Sequence, residues 1–219
     1  MLQILLVCSL FLSSLAQAQE SEEKLFKLLT PTQIRSLLGA YPAKGSMAEF
    51  NDFATMLKFQ LSRTEQDCAE AAADEKVSIS HLFAGPRGPL TRSEARLTPR
   101  LALSMGEIGA NILTAKNLYK RPRPYIANPL IRPCISKESS TAYPSGHTAF
   151  ARTMAIILSR IYPEKSAALM KRADEVALNR VIGGVHHPTD IIAGKKLGDA
   201  IAAEALMSPA FVEELILNQ

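Results

Sequence analysis

Three short segments carry residue types whose combination can handle a phosphoryl group. The first, Lys116-Asn117-Leu118-Tyr119-Lys120-Arg121-Pro122-Arg123-Pro124, holds four cations and no acid. By itself it reads as a solvated basic helix end, which the helix macrodipole favours. The second is Tyr143-Pro144-Ser145-Gly146-His147-Thr148. A Pro-Ser-Gly turn leading into a helix exposes backbone N–H groups that suit a phosphate; its bland counterpart is an ordinary N-cap turn with an incidental histidine. The third runs from Asn179 and Arg180 through Gly183-Gly184-Val185-His186-His187-Pro188-Thr189-Asp190. A carboxylate four residues after a histidine can take its Nδ1–H, leaving Nε2 as a lone-pair nucleophile or base. A lone His/Asp pair is weak, because many are structural.

Other chemistries meet obstacles in the same residues. A cysteine-nucleophile phosphatase needs Cys-x5-Arg, but Asp74 stands six beyond Cys68 and Ser140 six beyond Cys134. No CxxC or HExxH occurs, so the common zinc signatures are absent. A metal site drawn from His147, His186, His187 and Asp190 would leave three cations unexplained beside a divalent ion. An anion-binding protein gives no reason for two positioned histidines.

The elements that must hold these segments read as helical throughout. Ser46 offers a cap for a helix with Phe50, Phe53, Met56, Leu57 and Leu61 on one face. Thr91 with Glu94 matches a capping box, and Thr98-Pro99 offers a second start with Pro at the first helical position. Leu101, Met105, Ile108 and Ile112 then line one face. Pro122, Pro124, Pro129, Pro133 and Pro144 make 120–144 an irregular connection. Helical periodicity returns with Phe150, Met154, Ile157 and Ile161, and again with Leu169, Ala173 and Val176. A last long helix starts at Pro188 and carries Gly194, Gly198 and Ala202 at i, i+4 spacing, a face that lets a neighbour approach closely. Residues 19–45 read as an arm broken up by Pro31 and Pro42, and 84–89 as a Gly- and Pro-rich loop. There is no strand alternation, repeat or low-complexity tract. The expectation is one all-α domain.

Composition agrees with a globular chain: 47% of residues are hydrophobic and 21% charged, which argues against disorder. A net charge of +4 with a pI near 9.0 is too weak alone to imply nucleic acid. Leu2 to Leu15 is an apolar run closed by Ala16-Gln17-Ala18, and it reads as a secretory signal cleaved after Ala18. An uncleaved anchor is the alternative, but the run is short for a spanning helix of roughly 20 residues. Export to a bacterial periplasm or the medium is expected, with residues 19–219 as one soluble domain. Cleavage removes Cys8 and leaves Cys68 and Cys134, which are open to pairing in an oxidising compartment.

Taken together, Lys116-x6-Arg123-Pro124, Pro144-Ser145-Gly146-His147 and Arg180-x5-His186-x3-Asp190 resemble the tripartite signature of the type 2 phosphatidic acid phosphatase superfamily. That superfamily includes bacterial class A non-specific acid phosphatases and vanadium haloperoxidases. The resemblance spans roughly residues 100–203, and the exported, all-helical character looks like the class A enzymes. Asn179 stands where the superfamily usually has Ser, Thr141-Ala142 replace the usual Gly-Ser, and Trp is absent.

The resemblance implies a helical bundle and a set of roles. His186 would attack phosphorus in line through Nε2 and form a phosphohistidine, with Asp190 accepting its Nδ1–H. His147 would protonate the departing alkoxide and then activate water. Lys116, Arg123 and Arg180, with Ser145 and the Gly146 N–H, would neutralise the equatorial oxygens. Phosphoryl transfer rests on positioning and electrostatics, so three fixed cations imply no metal cofactor. Lys120 and Arg121 are expected as rim charges, His187 as a flanking residue and His81 as a loop residue. The expected substrates are small phosphate monoesters, taken with broad specificity, and neither a nucleic acid polymer nor, after signal cleavage, a membrane. A homo-oligomer is compatible with the sequence. A vanadate-dependent haloperoxidase, or a lipid or pyrophosphate phosphatase of the same superfamily, is the alternative.

Overall fold

Hydroxyl-bearing residues and prolines set where most of the helices begin. The computed structural model describes residues 24–217; the apolar leader and its cleavage site lie outside the described residues. Thr30 caps α1 (Pro31–Leu38) and Ser46 caps α2 (Met47–Ser62), each accepting a backbone N–H three residues on. Thr64 opens α3 (Glu65–Ala73) and Ser78 the short α4 (Ile79–Phe83) in the same way. Thr98 caps α5 (Pro99–Leu118), with Pro99 in the first turn, where a missing N–H does no harm. Ser145 caps α7 (Gly146–Ile161). A single turn, α6 (Pro124–Ala127), interrupts the Pro-rich connection. A 3₁₀ turn at Pro163–Lys165 leads into α8 (Ser166–Ile182), and α9 (Pro188–Met207) and α10 (Pro209–Leu217) complete the chain. Among the described residues the one β feature is an isolated bridge between Ala84 and Leu90. None of the described helices is long and apolar enough to cross a membrane.

The central helix is α7, packed chiefly against α8 and α9, with α5 on a further side. Its expected face is the observed one: Phe150, Met154, Ile157 and Ile161 are all buried, as are Leu169, Ala173 and Val176 of α8. Several expectations need correction. Pro31 does not break the arm but starts α1, because Thr30 and Gln33 form a reciprocal capping box. The arm also belongs to the fold: Leu25 N–H donates to Glu107 at 2.6 Å and Leu29 N–H to Asn111 at 2.8 Å, both on α5. The Thr91/Glu94 capping bonds form at 2.7 and 3.2 Å, yet the chain turns only once there. Pro99 disfavours helical backbone at Thr98, so the turn cannot run on into α5. His81 lies in α4 rather than a loop. On α2 the apolar stripe is misjudged: Phe50 is 66% and Leu61 86% exposed, while the buried residues are Asp52 and Met56.

Two constraints tie the bundle to the site. Cys68 on α3 and Cys134 in the Pro-rich connection are bonded, with Cα atoms 5.8 Å apart and a sequence separation of 66. Closing a loop of that length restricts the unfolded chain by about 4 kcal/mol in the chain-entropy model. The small-residue face of α9 lies on α7, as expected. A Cβ at Gly194 would stand 2.7 Å from the Ser145 carbonyl oxygen and 2.8 Å from Thr148 Cβ, closer than packed atoms approach. Gly194→Ala should therefore part the two helices, lowering stability by about 1–3 kcal/mol. It should also lower activity, since Ser145 N–H donates to the Asp190 carbonyl at 3.0 Å across that seam. Gly106→Ala, where a Cβ meets nothing within 4 Å, should stabilise instead through helix propensity. Thermal unfolding of both variants checks this; an unchanged Tm in Gly194→Ala would mean the seam is loose.

Candidate active site

The cationic residues reach one place from three elements. Lys116 sits in the last turn of α5, and its ammonium donates to the Thr141 carbonyl at 2.7 Å. Burial first, and then the charge of Arg123, lower its pKa to about 8. Arg123 stands at the start of α6, with 1% of its side chain exposed. Its Nε donates to the Ser140 carbonyl at 2.7 Å and its Nη1 to the Val185 carbonyl at 2.9 Å. Arg180 ends α8 with its side chain equally buried. Its carbonyl accepts the N–H groups of Val185 at 3.1 Å and His186 at 3.2 Å. This fold-back explains the Arg-x5-His spacing: the turn through Gly183 and Gly184 returns the histidine to the arginine that precedes it. Gly184 takes φ +82°, a conformation that favours glycine.

His186 is fully buried. Its Nε2 lies 2.9 Å from Arg123 Nη1, and its Nδ1 lies 3.3 Å from Asp190 Oδ2. A guanidinium only donates, so Nε2 is the acceptor and the proton sits on Nδ1, facing the carboxylate. Burial, countered by the bond to Asp190 but reinforced by Arg123, pushes the imidazole pKa down to about 3. Asp190 is also buried; the bonds from His186 and His187 outweigh that burial and hold its carboxyl well below the usual range.

His147, in the first turn of α7, has its Nε2 2.9 Å from the Glu75 carbonyl. A carbonyl only accepts, so Nε2 carries hydrogen, and Nδ1 lies 3.9 Å from Glu138 Oε1. Burial, then Arg180, lower this pKa to about 4. Ser145 Oγ accepts from Thr148 Oγ1 at 2.9 Å, and a Cβ on Gly146 would come within 3.2 Å of Lys116 Cε. Thus Lys116, Arg123, Ser145, Gly146, His147, Arg180, His186 and Asp190 converge at one end of the bundle. Two donors of Arg180, Nε and Nη1, are buried with no partner among the described residues. A buried guanidinium with unused donors suits an oxyanion.

The PAP2 superfamily model matches residues 100–211, the span that contains all eight residues. The chain belongs to the PAP2 superfamily. It is similar to a non-specific acid phosphatase of Providencia stuartii, 31% identical over 192 residues that cover 82% of this chain and 77% of that one. A non-specific acid phosphatase of Salmonella typhimurium is 31% identical over 161 residues, 67% of this chain and 62% of that one. In fold, the chain resembles a crystal structure of a transmembrane PAP2 type phosphatidylglycerolphosphate phosphatase from Bacillus subtilis. The TM-score is 0.57 at 20% identity, covering 84% of this chain and 96% of that one.

Several residues of this PAP2 site behave differently from expectation. Arg121 is no rim charge. It is buried, with Nη2 2.7 Å from Asp52 Oδ2 and Nη1 2.7 Å from Asp190 Oδ1. Lys120 is exposed, as expected. His187 does more than flank the site: its Nδ1 is 2.9 Å from Asp190 Oδ2, nearer than His186, and its backbone N–H donates to the same oxygen at 2.8 Å. Asn179, standing where Ser is usual, donates to Asp74 at 2.8 Å. Buried Asp74 also receives Arg172 and the half-buried Arg87, and this cluster precedes the Glu75 carbonyl that orients His147. The residues that sequence reasoning missed are Asp52 and Glu138. Glu138 had a signal, being the one acid from Lys116 to His147.

Proposed function

We propose that this protein is an exported acid phosphatase of broad specificity that hydrolyses organic phosphate monoesters through a phosphohistidine at His186. The observation that carries the reading is the His186 tautomer. Its Nε2 lone pair is turned toward Arg123 at 2.9 Å while Asp190 faces Nδ1, so a buried nucleophile stands inside a cage of cations. The names of the relatives, non-specific acid phosphatases, support the substrate class. The leader Leu2–Leu15 with Ala16-Gln17-Ala18, together with the Cys68–Cys134 bridge, supports a periplasmic or secreted location.

In the first step the Nε2 electron pair forms an N–P bond and the bond from phosphorus to the ester oxygen breaks. The leaving oxygen takes a proton from Nδ1 of His147 in its imidazolium form, which leaves the ring neutral. In the second step water attacks phosphorus, neutral His147 accepts a water proton, and the N–P electrons return to Nε2. Lys116, Arg123 and Arg180 hold the transferring group throughout, where fixed charges in a dry site are worth most.

Rapid quench with labelled nitrophenyl phosphate tests this. Wild type should yield acid-labile, base-stable label that maps to His186, and His186→Ala should yield none. Vanadate should inhibit competitively, and Arg123→Ala or Arg180→Ala should weaken vanadate binding and rate together. Label persisting in His186→Ala would overturn the reading.

A further inference from the structure

Arg123 and Arg180 already share an anion, the side chain of Glu138. Its Oε2 is 2.5 Å from Arg123 Nη2 and its Oε1 is 2.6 Å from Arg180 Nη2, with His147 Nδ1 3.9 Å from Oε1. One carboxylate thus joins the two guanidiniums that the proposed reaction assigns to the phosphoryl oxygens, and it lies beside the histidine assigned to the leaving oxygen. We propose that Glu138 is an internal competitor for the substrate phosphate: it fills the cradle in the free enzyme, rotates out when a phosphoryl group enters, and returns to help expel inorganic phosphate. This rests on the reading of the site as a phosphatase.

Three features make the carboxylate displaceable rather than a fixed part of the cradle. Its backbone is held independently, since Tyr125 O–H donates to the Glu138 carbonyl at 2.7 Å and the Glu138 N–H donates back to the phenol oxygen at 3.1 Å. Side-chain rotation therefore needs no loop movement. The Glu138 side chain is 25% exposed whereas those of Arg123 and Arg180 are 1% exposed, so the anion has an outlet to water that the cations lack. The carboxylate also leaves Arg180 Nε and Nη1 without partners. A tetrahedral oxyanion offers more oxygens and reaches donors that Glu138 does not. The two anions exclude each other, because like charges placed side by side in a desolvated site strongly oppose binding. Burial raises the Glu138 pKa, but Arg123 first, then His186, His147 and Arg180, bring it down to about 2. The competitor stays charged in mildly acidic solution.

The test compares wild type with Glu138→Gln, which keeps the size of the side chain, and Glu138→Ala. Inhibition constants for inorganic phosphate and vanadate should fall at least about tenfold in both variants, with KM for nitrophenyl phosphate falling alongside. Unchanged or weaker binding in both would show that Glu138 merely braces the arginines, overturning the competitor while leaving the phosphatase reading intact. If no form of the protein is inhibited by phosphate or vanadate, the phosphatase reading fails and the competitor fails with it. A vanadate-bound crystal in which Glu138 still bridges Arg123 and Arg180 would also overturn the proposal.

Discussion

Replacing His147 by alanine should slow hydrolysis of an alkyl phosphate by about 10²–10⁴-fold, the usual worth of a positioned general acid. Nitrophenyl phosphate should lose much less in the first step, because its phenolate leaves without a proton. The geometry behind this split is the Glu75 carbonyl, which occupies Nε2 of His147 at 2.9 Å and leaves Nδ1 for the reaction. Water activation in the second step is lost for every substrate, so with nitrophenyl phosphate the variant should accumulate phosphohistidine at His186. The same groups set the pH dependence. His147, lowered to about 4, is mostly neutral near pH 7 and becomes an acid as pH falls. His186, lowered to about 3, keeps its lone pair until lower pH still. In wild type, kcat/KM for an alkyl phosphate should rise on acidification toward about pH 4, since that parameter reports the free enzyme's groups. His147→Ala should lose this rise. Stopped-flow and quench measurements with the two substrates check it. Equal slowing of both esters in the first step, or label on His147 itself, would sink the assignment.

The parts of this site that were legible in the sequence are those in which chemistry and local geometry coincide. The spacing of His186 and Asp190 puts the pair across one helix start, and Ser145-Gly146-His147 is a cap signal as well as a phosphate signal. Helix starts at Ser46, Thr98-Pro99 and Pro188 were readable because capping is local. What was illegible depends on long-range pairing. Arg121 looks like Lys120 until Asp52, 69 residues earlier, is brought against it. That partner was hidden because a buried acid on α2 contradicts the apolar stripe used to find the face; Asp52 and Met56 are four apart and both buried, whereas Phe50 is not. Thr91 shows the opposite failure, in which a correct local cap produced no helix because Pro99 stopped it.

Arg121→Gln should be among the most damaging single changes outside the cradle, and its effect on catalysis should act through Asp190. The guanidinium sits between Asp52 on α2 and Asp190 on α9, also donates to Thr189 Oγ1 at 2.7 Å, and lies over the Tyr41 ring at 5.7 Å. Removing it leaves two buried carboxylates without their shared cation. Breaking such a pair typically costs about 3–5 kcal/mol, far more than the intact pair contributes. Asp190 would retain His186 and His187 but lose the charge that fixes Oδ1, so the His186 ring would be held less firmly in its Nδ1–H tautomer. Arg121 makes no bond to Arg123, Arg180 or Lys116, so kcat should fall while the vanadate inhibition constant changes little. The coupled change separates this from general loosening. Asp52→Asn should destabilise the wild type, where it breaks the pair, yet stabilise Arg121→Gln, where Asp52 is an unpaired buried charge. That reversal of sign is the signature of a shared buried cation. Denaturant titrations of the two single variants and the double variant, with kcat and vanadate inhibition measured alongside, check it. Additive losses in the double variant, or vanadate affinity falling as far as kcat, would place Arg121 in the general scaffold rather than behind the nucleophile.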